Sequence, residues 1–255
     1  MTAEPRALRL VGVKAKLRSR WNVSVAEATQ IQVALRDRVE RKNRFGELRS
    51  VAAADVALDV EGKRAFAGVV IYSFPELLEL ERVWAARPLR FPYIPGLLSF
   101  RELPVILAAF ERVRHEPDLI FCDGHGYSHP RRFGIACHLG VVLDRPTIGC
   151  GKSRLVGAHS EPARERGSWT PLEDHGERIG AVLRTRAGVK PIYVSTGHRV
   201  SLESAIELVL AVCDGYRIPR PIRDADHFVG TLKRGEAARG DTGRRDSRTN
   251  RARAR

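Results

Sequence analysis

Asp118–Gly157 reads DLIFCDGHGYSHPRRFGIACHLGVVLDRPTIGCGKSRLVG. Leu119-Ile120-Phe121-Cys122 is a short unbroken apolar run of the kind that forms a buried strand. It ends in Asp123, which is followed by Gly124, His125, Gly126 and His129. Charge and imidazole therefore gather where a strand opens into a loop. At the C-terminal edge of an open α/β sheet, rigid strands hold converging loops, and ligands and metals sit there. Taken alone, the same residues equally describe an Asp that caps a turn, with imidazoles solvating it.

Three further segments carry carboxylates. Arg49–Val60 has the small and β-branched residues of a strand, interrupted by Asp55, and a charge in mid-strand needs a partner or a metal. Ser99–His115 has helical periodicity through Leu103, Ile106, Leu107, Phe110 and Val113, with Glu102 in its first turn. There Ser99-x-x-Glu102 also reads as a capping box, in which Glu102 merely satisfies a backbone N–H. Ile222–Phe228 offers Asp224, Asp226 and His227 on a short terminal helix, with Asp224 expected to be a solvated surface charge. The order is strand Asp, second strand, helix Glu, strand Asp, late helix Asp. Ribonuclease-H-like folds gather carboxylates around divalent metals in this arrangement, and Mg²⁺ takes hard oxygen ligands of this type. The fold class expected is α/β, a ribonuclease-H-like mixed sheet with helices on both faces.

The chain also resembles the endonuclease V family, the deoxyinosine 3′ endonucleases, from about Ser24 to Gly230. The resemblance is carried by PYIPGLLSFRE (Pro92–Glu102), DGHGYSHPRRFGIACHLG (Asp123–Gly140), PTIGCGKSRLVG (Pro146–Gly157), VSTGHRVSLE (Val194–Glu203) and GYRIPRPIRDAD (Gly215–Asp226). It implies that Asp55, Glu102 and Asp123, with Asp226, hold catalytic Mg²⁺, for which Mn²⁺ can substitute. It sets His129 and Lys152 close to the scissile phosphate, His129 to shuttle a proton or orient the phosphate. Tyr93 becomes an aromatic wedge in a rigid loop with Ile94, Pro95 and Gly96. Backbone groups around Leu98, Gly124 and Ile135 become the readers of an extruded base. His198, in Thr-Gly-His-Arg, is expected to brace the site from behind. The implied activity is metal-dependent hydrolysis of the second phosphodiester bond 3′ to deoxyinosine in DNA, leaving 3′-OH and 5′-phosphate, in DNA repair. Three positions depart from the family pattern. Arg220 stands where the family usually has Glu, Gly151 where it has Ala, and Ile222 where it has Thr.

Two other substrates fit the same carboxylates: inosine in RNA, or branched DNA cut by another ribonuclease-H-like nuclease such as a junction resolvase. A non-catalytic nucleic-acid-binding protein would explain the charge but leave Asp55, Glu102 and Asp123 mutually repelling without a use. Net charge is +14 and the sequence pI about 10.4, the footprint of a polyanionic partner. At 255 residues one core suffices, so residues 1–230 are expected to form a single catalytic domain, acting as a monomer. From Thr231 onward nine basic side chains face three acidic ones, net +6, with almost no apolar residue. Residues 231–255 are therefore expected to be a basic, disordered tail. Cys122, Cys137, Cys150 and Cys213 form no CxxC pair and have mostly apolar neighbours, as reduced core thiols do. No stretch reaches the ~20 apolar residues of a membrane span, and MTAEPRALRL lacks a signal-peptide core. A soluble cytoplasmic protein is expected.

The remaining elements follow from local signals. Ser24-x-x-Glu27 caps a helix from Val25 to about Lys42 with Ala28, Ile31, Leu35 and Val39 on one face. Arg64–Ser73 pairs with Arg49–Val60 as a hairpin, and a short helix is expected from Pro75. A helix is expected at Arg132–Leu143, strands at Pro146–Cys150, Ala181–Thr185 and Pro191–Ser195, and a helix at Ser201–Cys213. Gly157–Glu177 is expected to be a long surface loop. Deleting residues 231–255 is expected to weaken nucleic-acid binding uniformly across sequences. Measured against salt, each lost phosphate contact should flatten the log–log slope by about 0.7 to 0.9, and parallel slopes for full-length and shortened protein would refute that role.

Overall fold

A computed structural model describes the backbone of residues 12–249 and the side chains of residues 12–235. The N-terminal stretch 1–11 and residues 250–255 lie outside the described residues. α1 (Val25–Arg36) begins at Ser24, whose hydroxyl accepts from the Glu27 N–H while Glu27 returns the bond, a complete capping box. Its buried face is centred on Ala28 and, unexpectedly for a polar residue, Gln32. β1 (Ser50–Asp59) and β2 (Arg64–Ser73) form the antiparallel hairpin, with Asp55 opposite Gly68. The segment after Pro75 is β3 (Glu79–Pro88), paired with β2, and not the expected short helix. As an edge strand it leaves charged side chains in water, which hides it from a hydrophobicity reading.

α2 (Leu98–Phe110) follows, then β4 (Leu119–Asp123), α3 (Ile135–Leu143), β5 (Thr147–Gly151), β6 (Trp169–Asp174), β7 (Glu177–Leu183), β8 (Ile192–His198), α4 (Leu202–Ala211) and α5 (Arg220–Thr249). The end of the expected Gly157–Glu177 loop is therefore β6, while most of the stretch before Trp169 is loop as expected. Pro171 and partial exposure make β6 tolerable only at the sheet margin. The strands form one mixed sheet of order β3-β2-β1-β4-β5-β8-β7-β6. β1, β4 and β5 run parallel at its centre, and the outer strands are antiparallel.

Side chains alternate between two cores, as the pleat requires. Ala52, Ala54, Ile120 and Cys122 pack under α2 and α3, while Val51, Ala53, Leu119 and Phe121 pack under α4 and α5. The small Ala run of β1 lets helices approach from both sides. All four cysteines are buried free thiols. No helix among the described residues is long and apolar enough to cross a membrane.

α5 runs on to Thr249, so its backbone enters the segment expected to form the basic tail. Asp224 is also no free surface charge: its carboxylate accepts the Tyr72 hydroxyl at 2.5 Å and lies 3.5 Å from Arg220 Nε. The Arg220 substitution thus makes a local ion pair, with its guanidinium 5.5 Å from the Tyr72 ring centre.

α5 seats on the hairpin at Gly68, where an added Cβ would meet Phe228 Cδ1 at 2.6 Å and Val229 Cγ1 at 2.8 Å. Gly68→Val should therefore lift α5 from β1 and cost roughly 1–3 kcal/mol, the scale of overpacking. Urea denaturation checks this, and unchanged stability would contradict the close seat.

Candidate functional site

The parallel β1–β4 pairing ends at Ala54 and Cys122, so Asp55 and Asp123 stand side by side just past it. This resolves the mid-strand charge. β1 continues along β2, but its β4 side has opened. Glu102 reaches the same point from α2, and the three carboxylates line one small cavity with Cys122 and Ile135. Ser99 does not form the alternative capping box. The α2 N-cap is Leu97 with no side-chain bond, and the Ser99 hydroxyl lies 3.0 Å from His138 Nδ1. Glu102 is thus released from capping and turned toward Asp55 and Asp123.

Crowding dominates the electrostatics. Burial, then the charges of Asp123 and Asp226, push Asp55 up to about 7. Burial, then the charges of Asp55 and Asp123, push Glu102 up to about 8. Lys152, just beyond β5, answers with an ammonium 2.5 Å from Asp123 Oδ2. Burial alone would lower its pKa, but that hydrogen bond and the surrounding carboxylates raise it. Asp226 is exposed on α5 and acts on this centre through its charge. Among the described residues no three His, Cys, Asp or Glu side chains are gathered closely enough to hold a metal as they stand. The donor set still suits a hard divalent cation: it is all carboxylate, and its mutual repulsion is what such a charge relieves.

Beside this centre lies a cavity of about 250 Å³. Tyr93, Ile94, Pro95, Gly96, Leu98, Gly124 and Ile135 all line it. Ile135 faces both cavities, and Gly124 directly follows Asp123. Tyr93 is 68 % exposed at the rim. Gly124 has φ +136°, and a Cβ there would strike Ile135 Cγ2 at 2.8 Å, so only glycine keeps this wall open.

His129 does not hold a free imidazole. Its Nδ1 accepts the Arg131 N–H at 3.1 Å, and its Nε2 donates to the Gly96 carbonyl at 3.0 Å. Burial, then the Arg131 charge, lowers it to about 4. It is a neutral clamp, with no nitrogen left to shuttle a proton. Arg131 and Gln32 donate to the same Gly96 oxygen at 2.7 and 3.0 Å.

A family model described as Endonuclease V matches residues 33–227. The chain belongs to the endonuclease V family. An Endonuclease V from Roseiflexus sp. (strain RS-1) is 52% identical over 206 residues, 81% of this chain and 92% of that protein. A crystal structure of Endonuclease V from Streptomyces avermitilis, 38% identical, superposes with a TM-score of 0.82 over 88% of this chain and 99% of that one. A Ciona intestinalis Endonuclease V, 27% identical, TM-score 0.72, covering 83% and 98%, is bound to a 24mer DNA containing an inosine followed by a ribo-adenosine. The chain is accordingly a DNA-hydrolysing nuclease of a metal-dependent family.

In this endonuclease V, His198 is far from the site. It pairs with Thr147 at the start of β5, three residues before Cys150, the partner of Asp123. That is roughly 10 Å down the strand. There its Nδ1 accepts the Glu40 N–H at 3.2 Å, tying α1's trailing loop to that end of β5. Seven further residues line the cavity without having been expected there. Ser99, His125, Gly134, Ser153, Arg154 and Leu155 lie within the family-like motifs and were open to inference, whereas Gln32 is brought in only by tertiary packing.

The raised carboxylates give a stability signature. Folded Asp55 and Glu102 hold protons above their ordinary values of 3.8 and 4.5. The metal-free protein therefore takes up protons on folding and loses stability as pH rises from about 4 to about 8. Asp55→Asn with Glu102→Gln should remove that loss, gaining on the order of 1–3 kcal/mol at pH 8 over pH 4 relative to wild type. Denaturation in chelator at the two pH values checks it, and an equal pH response in both proteins would contradict the crowding.

Proposed function

We propose that this endonuclease V cleaves DNA at deoxyinosine, hydrolysing the second phosphodiester bond 3′ to the lesion. The observation that carries the reading is the junction of two cavities. A wall of backbone and apolar groups, with Tyr93 at its rim, adjoins three crowded carboxylates through Gly124 and Ile135. An enzyme that reads a base edge must take the base out of the stack, at a cost of a few kcal/mol that weak pairs reduce. Tyr93 is exposed where it can stack in the vacated place, and Pro92 and Pro95 limit the entropy of holding it there. The Gly96 clamp of His129, Arg131 and Gln32 fixes the loop against the base cavity. The Ciona complex with inosine-containing DNA supports the same substrate.

Asp55, Glu102 and Asp123, with Asp226, would hold the divalent cation, Mg²⁺ by its preference for carboxylate oxygen. Such an ion supplies charge neutralisation for the phosphate. Lys152 pairs with Asp123 and presents a cation beside the cleaved strand, while Tyr93 and the clamped loop orient the nucleotide.

Matched strands carrying deoxyinosine, adenine or ribo-inosine test the reading. The deoxyinosine strand should be cut one nucleotide past the lesion, and equal cutting of the adenine strand would refute it. Asp123→Asn should abolish divalent-dependent cleavage while strand binding persists. Tyr93→Ala should cost roughly 1–3 kcal/mol of stacking, weakening lesion binding more than binding to plain DNA.

A further inference from the structure

A second cavity, of about 210 Å³, is lined by residues that flank the Tyr93 loop in the chain, Phe91 before it and Phe100 after it. Its apolar wall is Trp21, Phe91 and Phe100, the open margin of a small core cluster, with ring centres 5.6 Å apart for Phe91–Phe100 and 6.0 Å for Trp21–Phe100. Arg87 and Arg90 stand at its mouth and Arg101 in its side, and no acidic residue lines it. Among the described residues the guanidiniums of Arg87 and Arg90 form no ion pair or hydrogen bond. Two exposed guanidiniums without an acidic partner therefore lie together at one cavity. Arg101 donates Nη1 to the Phe91 carbonyl at 2.9 Å, and its buried Nε has no protein partner.

The position is as informative as the composition. Phe91 is two residues before Tyr93, at most about 7 Å along the chain, which is the scale of two stacked nucleotides at about 3.4 Å each. The first turns of α2 serve all three sites in turn. Leu98 and Ser99 face the base cavity, Glu102 the carboxylates, and Phe100 and Arg101 the second cavity. Trp21 precedes the residues that the family model matches.

We propose that this cavity is a second nucleotide subsite, resting one unpaired base on the partly exposed Trp21, which the buried Phe91 and Phe100 back, with its phosphate on Arg87 and Arg90. Aromatic faces hold any base without sequence preference, and guanidiniums hold the backbone. The subsite captures a neighbour of the extruded nucleotide, and so rests on the lesion-strand reading above. It also explains why a site that reads one base would carry an arginine cluster without an acidic counterpart.

The test uses Trp21 emission in full-length Trp84→Phe/Trp169→Phe protein, without divalent metal, titrated with dAMP and with deoxyinosine or plain single strands trimmed one nucleotide at a time. Saturable quenching is expected. Quenching by dAMP alone identifies the subsite as open to free mononucleotides. Quenching that requires a strand, and vanishes below a defined length, identifies it as a strand contact. In either case Arg87→Gln/Arg90→Gln, at exposed positions, should abolish quenching. It should weaken strand binding at least about fivefold and lower the single-strand salt slope by about 1.4, two contacts at about 0.7 each. Quenching absent with every probe, or quenching and affinity indifferent to the arginine changes, would overturn the subsite. Lesion-specific cleavage by the same protein, assayed separately with metal, shows whether the lesion reading stands independently.

Discussion

Three carboxylates in one small cavity are the constraint to which the structure answers. Placed together without a cation they repel, and burial denies them water, so Asp55 and Glu102 are driven toward their neutral forms. Nothing local holds them there. Asp55 comes from the hairpin, Asp123 from the central parallel pair and Glu102 from a helix, and only the packed cores above and below the sheet keep the three elements together. The alanines of β1 matter for this reason, because larger residues would move α2 and α5 away from the sheet. Lys152 offsets part of the repulsion, but its single ammonium is bound to one of the three acids.

How much of this was legible depended on whether the signal was local. The buried strand Leu119–Asp123 and the hairpin at Arg64–Ser73 announced themselves through unbroken apolar runs, and the capping box at Ser24 through two residues three apart. β3 and β6 did not, because an edge strand half in water carries Glu79, Glu81, Arg82 or Pro171, which read as loop or helix. The apparent cap at Ser99 failed for a tertiary reason. His138, from α3, sits on the hydroxyl, a partner 39 residues away in sequence.

The site divides along the same line. The cavity wall came from contiguous motifs, so the family resemblance those motifs carry could name Tyr93, Ile94, Pro95, Gly96, Leu98, Gly124 and Ile135, which line it. Roles that depend on what a side chain touches could not. His129 has the residue type of a proton carrier, yet both nitrogens are spent on backbone groups. His198 ends a sheet strand, as a bracing residue would, but β8 runs antiparallel to β5 and delivers it to the wrong end of β5. Gln32 looked like an ordinary polar position on an amphipathic helix, and it is one of the most buried polar residues of the protein.

The Gly96 carbonyl accepts from three side chains on two separate segments, and the glycine sits at φ +80° with Arg131 Nη2 only 2.8 Å from where a Cβ would be. A loop held in this way cannot fold over an arriving strand or adapt to its shape. The mechanical work of recognition then falls on the nucleic acid, which must bend and open to meet a surface that stays still. Discrimination in such an arrangement measures the softness of the duplex before it measures the identity of the base, and a loosely held base reaches the cavity more often than a firmly paired one, whatever its chemistry.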